Sequence, residues 1–215
     1  GVGTNNTATS INNAKVAASI GADALLVVTP YYNKCTQKGL IEHYFKIADS
    51  TDLPVIVYNV PSRTGLNILP QTYLELSKHP NIVAIKEACG NIDQISKTAA
   101  LVKDKMAIYS GEDSCTLPIL ALGGMGVISV VSNAVPDIVS NLCKSFFDGD
   151  LKTAQELQFK LLPLIDILFK EVSPIPVKAA MNLLGFDCGV PRLPLTESEN
   201  KELILKELKQ FIPNL

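Results

Sequence analysis

No apolar run in this 215-residue sequence approaches the roughly 20 residues that a membrane-spanning helix needs. Basic residues hold no excess either. The net charge is -2, so the broad positive field on which nucleic-acid binding draws is lacking. The two histidines, His43 and His79, stand in helix-like polar surroundings with no partner at ligand spacing, which argues against a His- or Cys-type metal centre. Five cysteines, Cys35, Cys89, Cys115, Cys143 and Cys188, are scattered singly, with no CxxC pair and no secretory signal at the start. That pattern fits a reducing, cytoplasmic setting, with Cys89 read as a small buried hydrophobe. What remains, 47% hydrophobic and 19% charged residues, is the composition of a globular protein with a small-molecule site.

Helix-period segments alternate with short β-branched runs through the first part of the chain. The pattern predicts a helix over Ser10 to Ile20 closed by Gly21, then a strand over Ala24 to Val28. Lys38 to Ser50 and Val55 to Tyr58 form the next unit. Pro70 opens a third helix before the strand Ile82 to Lys86, and Asn91 caps a fourth before Ala107 to Ser110. Cys115 to Leu122 and Val127 to Val130 complete five αβ units, which argue for a parallel sheet covered by helices. The expected division is 1–135 for this region and 136–215 for a helical appendage, broken at Pro163 and around Ser173 to Pro176. Thr196 is expected to cap the last helix, with Glu197, Glu199 and Glu202 in its first turns. A five-stranded doubly wound sheet remains the alternative to a partial barrel.

Lys86 stands where the buried run Ile82 to Ile85 hands over to a loop. Either it marks the strand's exit into water, or it is an amine on an apolar wall. There, lost hydration disfavours the ammonium form and prepares the nitrogen to attack a ketone. The preceding strand leaves the sheet at the equivalent place with Tyr58, Asn59 and, a few residues on, Arg63. Substrates of parallel αβ folds bind at these carboxyl ends. Gly123 to Gly126 precede a strand, so they read as a tight turn and not a phosphate loop. Glu112 and Asp113 read as capping acids.

Tyr58 to Gly65 (YNVPSRTG) and Ile85 to Asn91 (IKEACGN) together resemble the dihydrodipicolinate synthase branch of the pyruvate-dependent class I aldolases, the N-acetylneuraminate lyase family. Thr29-Pro30-Tyr31-Tyr32-Asn33, Ser110 to Asp113, Gly126 to Ser129 and Pro174 to Lys178 extend the likeness in order along nearly the whole chain.

The resemblance implies a TIM (β/α)8 barrel, here a partial one whose five strands are equivalent to the fourth to eighth, since a full barrel takes about 250 residues. By the same likeness the chain is expected to be N-terminally truncated. Lys86 is implied as the Schiff-base lysine that condenses pyruvate with aspartate semialdehyde, giving 4-hydroxy-tetrahydrodipicolinate for diaminopimelate and lysine biosynthesis. Tyr58 is implied as the proton carrier, and Arg63 as the fork for the aldehyde's carboxylate. Gly111 and Ile128 would act on substrate through their backbones. Tyr32 would cross a tight interface to a second copy, which implies a homo-oligomer. No metal or organic cofactor is implied. The family's paired threonines are absent from this sequence, so proton transfer through Tyr58 is expected to be impaired in this piece. Thr9 stands where lysine-inhibited members carry an acid, so weak or absent feedback inhibition is expected. A sugar-acid aldolase of the same family, or a non-catalytic αβ module, are the alternatives. Arg63 favours the synthase, because the sialic acid lyases generally lack it.

Overall fold

A computed structural model describes residues 1–215. The chain divides into two compact units, Gly1–Ile128 and Ser129–Leu215, a division that falls earlier than the expected 135/136.

The first unit is a five-stranded parallel sheet, with β1 (Leu25–Val28), β2 (Val55–Asn59), β3 (Ile82–Glu87), β4 (Ala107–Ser110) and β5 (Gly126–Val127) side by side in sequence order. A doubly wound sheet reverses its strand order at a switch point, and this sheet has no reversal, so the doubly wound alternative is excluded. Helices α1 (Thr7–Ser19), α2 (Gln37–Ala48), the single turn α3 (Pro61–Thr64), α4 (Pro70–Leu76), α5 (Ile92–Val102) and α6 (Thr116–Ala121) connect the strands. Helices α1, α2, α4, α5 and α6 are neighbours in that order.

Burial alternates along the strands, as the two-residue pleat requires. Leu25, Val27, Val55, Val57, Ile85 and Ile108 lie in the core with Leu40, Tyr44, Ile47, Tyr73 and Ile95 from the helices. The residues between them, Val28, Tyr58, Lys86 and Tyr109, form a half-buried row on the opposite face. Their side chains therefore face away from the helical layer. Tyr44 reaches across the core to donate its hydroxyl to the Val27 carbonyl at 3.1 Å.

Most local signals act as the residue chemistry dictates. Gly21, with φ of +86°, ends α1 in a Schellman turn in which its N–H reaches Ala18 O and that of Ala22 reaches Ala17 O. Asn91 caps α5 by accepting from the Gln94 N–H at 3.1 Å. The last strand is a correction. Only Gly126–Val127 pair with β4, in place of Val127 to Val130, and Val131–Asn133 turn instead into a short 3-10 segment.

The second unit contains α7 (Pro136–Phe147), α8 (Leu151–Leu168), α9 (Ile175–Leu183) and α10 (Lys201–Leu208). Pro163 does not break α8. It faces solvent while Leu161, Leu164 and Ile165 around it are buried. The helix therefore keeps its packed stripe, and the carbonyl left without an N–H partner lies on the wet side. Nor does Thr196 cap the last helix, which starts after Asn200. The Glu171 carboxylate accepts from the Ser198 hydroxyl and from the Glu199 N–H, and those bonds hold the intervening residues outside the helix.

Replacing Tyr44 by Phe removes the buried hydroxyl and leaves the ring in place. A loss of roughly 0.5–1.5 kcal/mol is expected, read as a lowered urea midpoint with unchanged slope.

Candidate active site

Tyr58 and Lys86 are register partners on β2 and β3, with Val28 beyond Tyr58 on β1 and Tyr109 beyond Lys86 on β4. The parallel register therefore delivers the phenol and the amine to the same end and the same face of the sheet. Lys86 Nζ stands 4.3 Å from the Tyr58 ring centroid, over its face, where the ring quadrupole attracts a cation.

Burial pushes the Lys86 amine below its usual 10.5, and the nearby Asp113 carboxylate partly opposes this. Burial raises the Tyr58 phenol. The Arg63 guanidinium pulls it back, and Glu112 adds to the rise. The pair is thus biased toward a free amine and a protonated phenol, the forms needed to add nitrogen to a carbonyl and hand a proton to its oxygen.

Gly111 explains how the lysine reaches this place. A Cβ built there would lie 2.9 Å from Lys86 Cγ and 3.1 Å from Lys86 Cε, so only glycine leaves room for the lysine stem. The Gly111 N–H donates to the Glu87 carbonyl at 2.7 Å, which fixes the glycine against β3. One strand further on, the Ile128 N–H donates to the Ser110 carbonyl at 2.8 Å, placing its backbone at the same end of the sheet.

Arg63 belongs to α3, the single turn that follows β2 and ends at Gly65 with φ of +71°. Together with Tyr58, Tyr31, Val28, Leu26, Val60 and Thr64 it lines a cavity of about 420 Å³. Its floor is held by the Thr29 N–H donating to the Tyr58 carbonyl, and by the Thr29 hydroxyl donating to the Thr64 hydroxyl at 3.0 Å. Tyr32 stands apart from these groups, 89% exposed on a left-handed backbone (φ +72°). Tyr31, and not Tyr32, faces the cavity.

Glu112 and His43 depart from their sequence reading. Glu112 makes no capping bond; its carboxyl and that of Asp113 act electrostatically on Tyr58 and Lys86. The spacing of Glu112 and Asp113 from Ser110 carries no signal of this, because the approach arises where β4 ends beside β3. His43 is buried. Its Nδ1 pairs with the Thr7 hydroxyl at 2.9 Å, and burial lowers its pKa to about 4. Cys89 is half-buried, and burial with the Glu87 charge pushes its thiol up to about 12, far from a reactive thiolate.

Because the amine must be neutral to attack, covalent labelling of Lys86 by a carbonyl compound and borohydride is expected to rise with pH. Its midpoint should fall below 10.5, as measured by initial rates of adduct formation across pH. Gly111→Ala should slow that labelling by roughly ten- to a hundredfold through displacement of the lysine stem.

The sequence matches the profile of the Dihydrodipicolinate synthetase family over residues 1–212. A relative in Caldicellulosiruptor saccharolyticus, named 4-hydroxy-tetrahydrodipicolinate synthase, is 55% identical across 100% of this chain and 73% of its own length. A Clostridium perfringens protein of the same name is 50% identical over 96% of this chain and 71% of its own. The crystal structure of dihydrodipicolinate synthase from Thermotoga maritima superposes with a TM-score of 0.95 at 47% identity, covering 97% of this chain and 73% of that one. A monomeric dihydrodipicolinate synthase variant gives the same score and identity. With the strand-end lysine, the tyrosine beside it and the arginine turn all lying within the matched span, the chain belongs to the dihydrodipicolinate synthetase family.

Proposed function

We propose that this chain condenses pyruvate with aspartate semialdehyde, through an imine on Lys86, to give 4-hydroxy-tetrahydrodipicolinate. The observation that carries the reading is the register pair Tyr58–Lys86, which sets a partly desolvated amine against a phenol at the carboxyl end of the sheet. The neutral amine adds to the ketone carbon, and the resulting carbinolamine loses its oxygen as water. Tyr58 gives and takes the protons of that exchange. The iminium then acidifies the pyruvate methyl. Loss of one methyl proton yields an enamine, whose terminal carbon forms the new bond to the aldehyde carbon while the aldehyde oxygen gains a proton. The semialdehyde's own amine then adds to the imine carbon, closing the ring, and the Lys86 amine leaves with the proton that the incoming amine gives up.

Arg63 faces the same cavity as Tyr58, and its planar fork suits the semialdehyde's carboxylate. That charge complementarity supports the synthase over a sugar-acid aldolase. Gly111 offers backbone close to the lysine for the pyruvate end, and Ile128 offers backbone at the same end of the sheet. Tyr32 is exposed and outside the lining of the chain's own cavity, which supports reading it as a residue that enters the site of a second copy, so a homo-oligomer is part of this reading. The monomeric variant among the similar structures shows that association varies between relatives. No helix is long and apolar enough to cross a membrane, and the chemistry belongs with amino-acid biosynthesis in the cytoplasm. Thr9 presents a hydroxyl engaged with Asn6 Oδ1 at 3.2 Å and no carboxylate, which supports weak control by lysine.

Incubation with pyruvate and borohydride should add a reduced pyruvyl group to Lys86, located by peptide mapping, and Lys86→Ala should abolish it. Arg63→Ala should leave pyruvate trapping intact while turnover with aspartate semialdehyde falls by roughly ten- to a hundredfold, the range expected when a charged hydrogen-bonding partner is lost. Trapping on another lysine, or equal turnover of sialic acid, would overturn the proposal.

A further inference from the structure

Behind the Tyr58–Lys86 pair, on the helix-covered face of the sheet, the next register partners are Asn59 and Glu87. Both are buried, at 0% and 1% exposure. A carboxyl group so far from water needs donors, and Glu87 has three. Its Oε1 accepts from Asn59 Nδ2 and from the Cys89 N–H, both at 2.9 Å, and its Oε2 accepts from the Tyr73 hydroxyl at 2.9 Å. Asn59 is itself fully engaged. Its Nδ2 also donates to Asn67 Oδ1 at 2.9 Å, and its Oδ1 accepts from the Ile68 N–H at 3.1 Å.

One carboxylate therefore ties the ends of β2 and β3 to α4 and to the turn that leaves β3. Burial raises the Glu87 pKa above its ordinary 4.5, and its hydrogen bonds offset only part of that rise. Every partner named is a donor, so the ionised form is the one this cluster satisfies. Consecutive strand residues point to opposite faces, so whatever holds Asn59 and Glu87 also holds the backbones of Tyr58 and Lys86. Two further bonds extend the hold: the Ala88 N–H donates to the Asn59 carbonyl at 2.9 Å, and the Glu87 carbonyl carries Gly111.

We propose that Glu87 is a positioning residue for imine formation. By gripping Asn59 and the Cys89 amide, its carboxylate sets the separation and angle at which the Lys86 amine meets the Tyr58 phenol. It acts through geometry and not through charge, since Asp113 is the acid that acts on Lys86. The proposal rests on Lys86 being the imine-forming group.

The test measures pyruvate trapping by borohydride at saturating pyruvate, as a rate per folded molecule, with folding checked by circular dichroism. Trapping on Lys86 in the unsubstituted chain comes first. Its absence would overturn the reading of Lys86 and this inference with it, whereas its presence leaves Glu87 to be judged alone. Glu87→Ala is expected to slow trapping by roughly ten- to a hundredfold, with little change in half-saturating pyruvate. Glu87→Gln keeps the shape and the acceptor toward Asn59 and Cys89, and a Tyr73 hydroxyl turned to accept completes the set. It should restore most of the rate and leave the pH midpoint unmoved. Val102→Ala, a destabilising change at the buried far end of α5, should leave the rate unchanged. If Glu87→Ala does not fold, Asn59→Ser, which removes the bridge between the strands, should show the same slowing. An unaltered rate in the folded Glu87→Ala or Asn59→Ser variant, a shifted pH midpoint in Glu87→Gln, or equal slowing by Val102→Ala would each overturn the proposal.

Discussion

The parallel register between β2 and β3 is the constraint on which the rest of the site depends. It pairs Val57 with Ile85, Tyr58 with Lys86 and Asn59 with Glu87. The first pair is core, the second is the reactive pair, and the third is the buried polar cluster behind it. Because side chains alternate between faces, a slip of one residue would send Lys86 into the apolar layer and Glu87 to the face beside Tyr58. The isoleucine, valine and tyrosine side chains packed against the helices oppose that slip, since it would expose them. The hydrophobic layer thus holds the chemistry in place without touching it.

Around this pair, desolvation and charge act in opposite directions on each group. Burial makes Lys86 easier to deprotonate and Tyr58 harder. Asp113 and Arg63 moderate those shifts through their charges, each from a different loop at the carboxyl end of the sheet. The groups come from the ends of β2, β3 and β4, so their spacing is set by a sheet and not by a flexible segment. Gly111 belongs to the same design. Its missing side chain is a volume that the lysine stem fills.

Much of this was legible in the residues. The first four strands lie close to the runs expected for them, and Asn91, Gly21 and Pro70 act as the cap, terminator and first-turn residue that their chemistry predicts. Local signals misled where a distant group supplied the deciding interaction. Thr196 has the chemistry of a cap, yet the carboxylate of Glu171 takes up the segment beyond it. Pro163 has the chemistry of a breaker, yet it falls on the solvent side of a helix whose other side is packed. His43 reads as a histidine in polar surroundings, yet it is buried, because a sequence does not reveal which side of α2 packs inward.

The amino-acid sequence by itself determined the alternation of helix and strand, the placement of Lys86 at a strand end, and the identity of the groups near it. Those properties follow from local periodicity and from the chemistry of single residues. Only the tertiary structure decided that Glu87, next to Lys86 in the chain, faces the opposite way into a closed hydrogen-bond cluster. It alone decided that Glu112 and Asp113 act on the tyrosine and the lysine, and that Tyr31 and not Tyr32 faces the cavity. Such relations depend on distances between residues far apart in the chain, and those distances exist only once the strands have chosen their neighbours and their register.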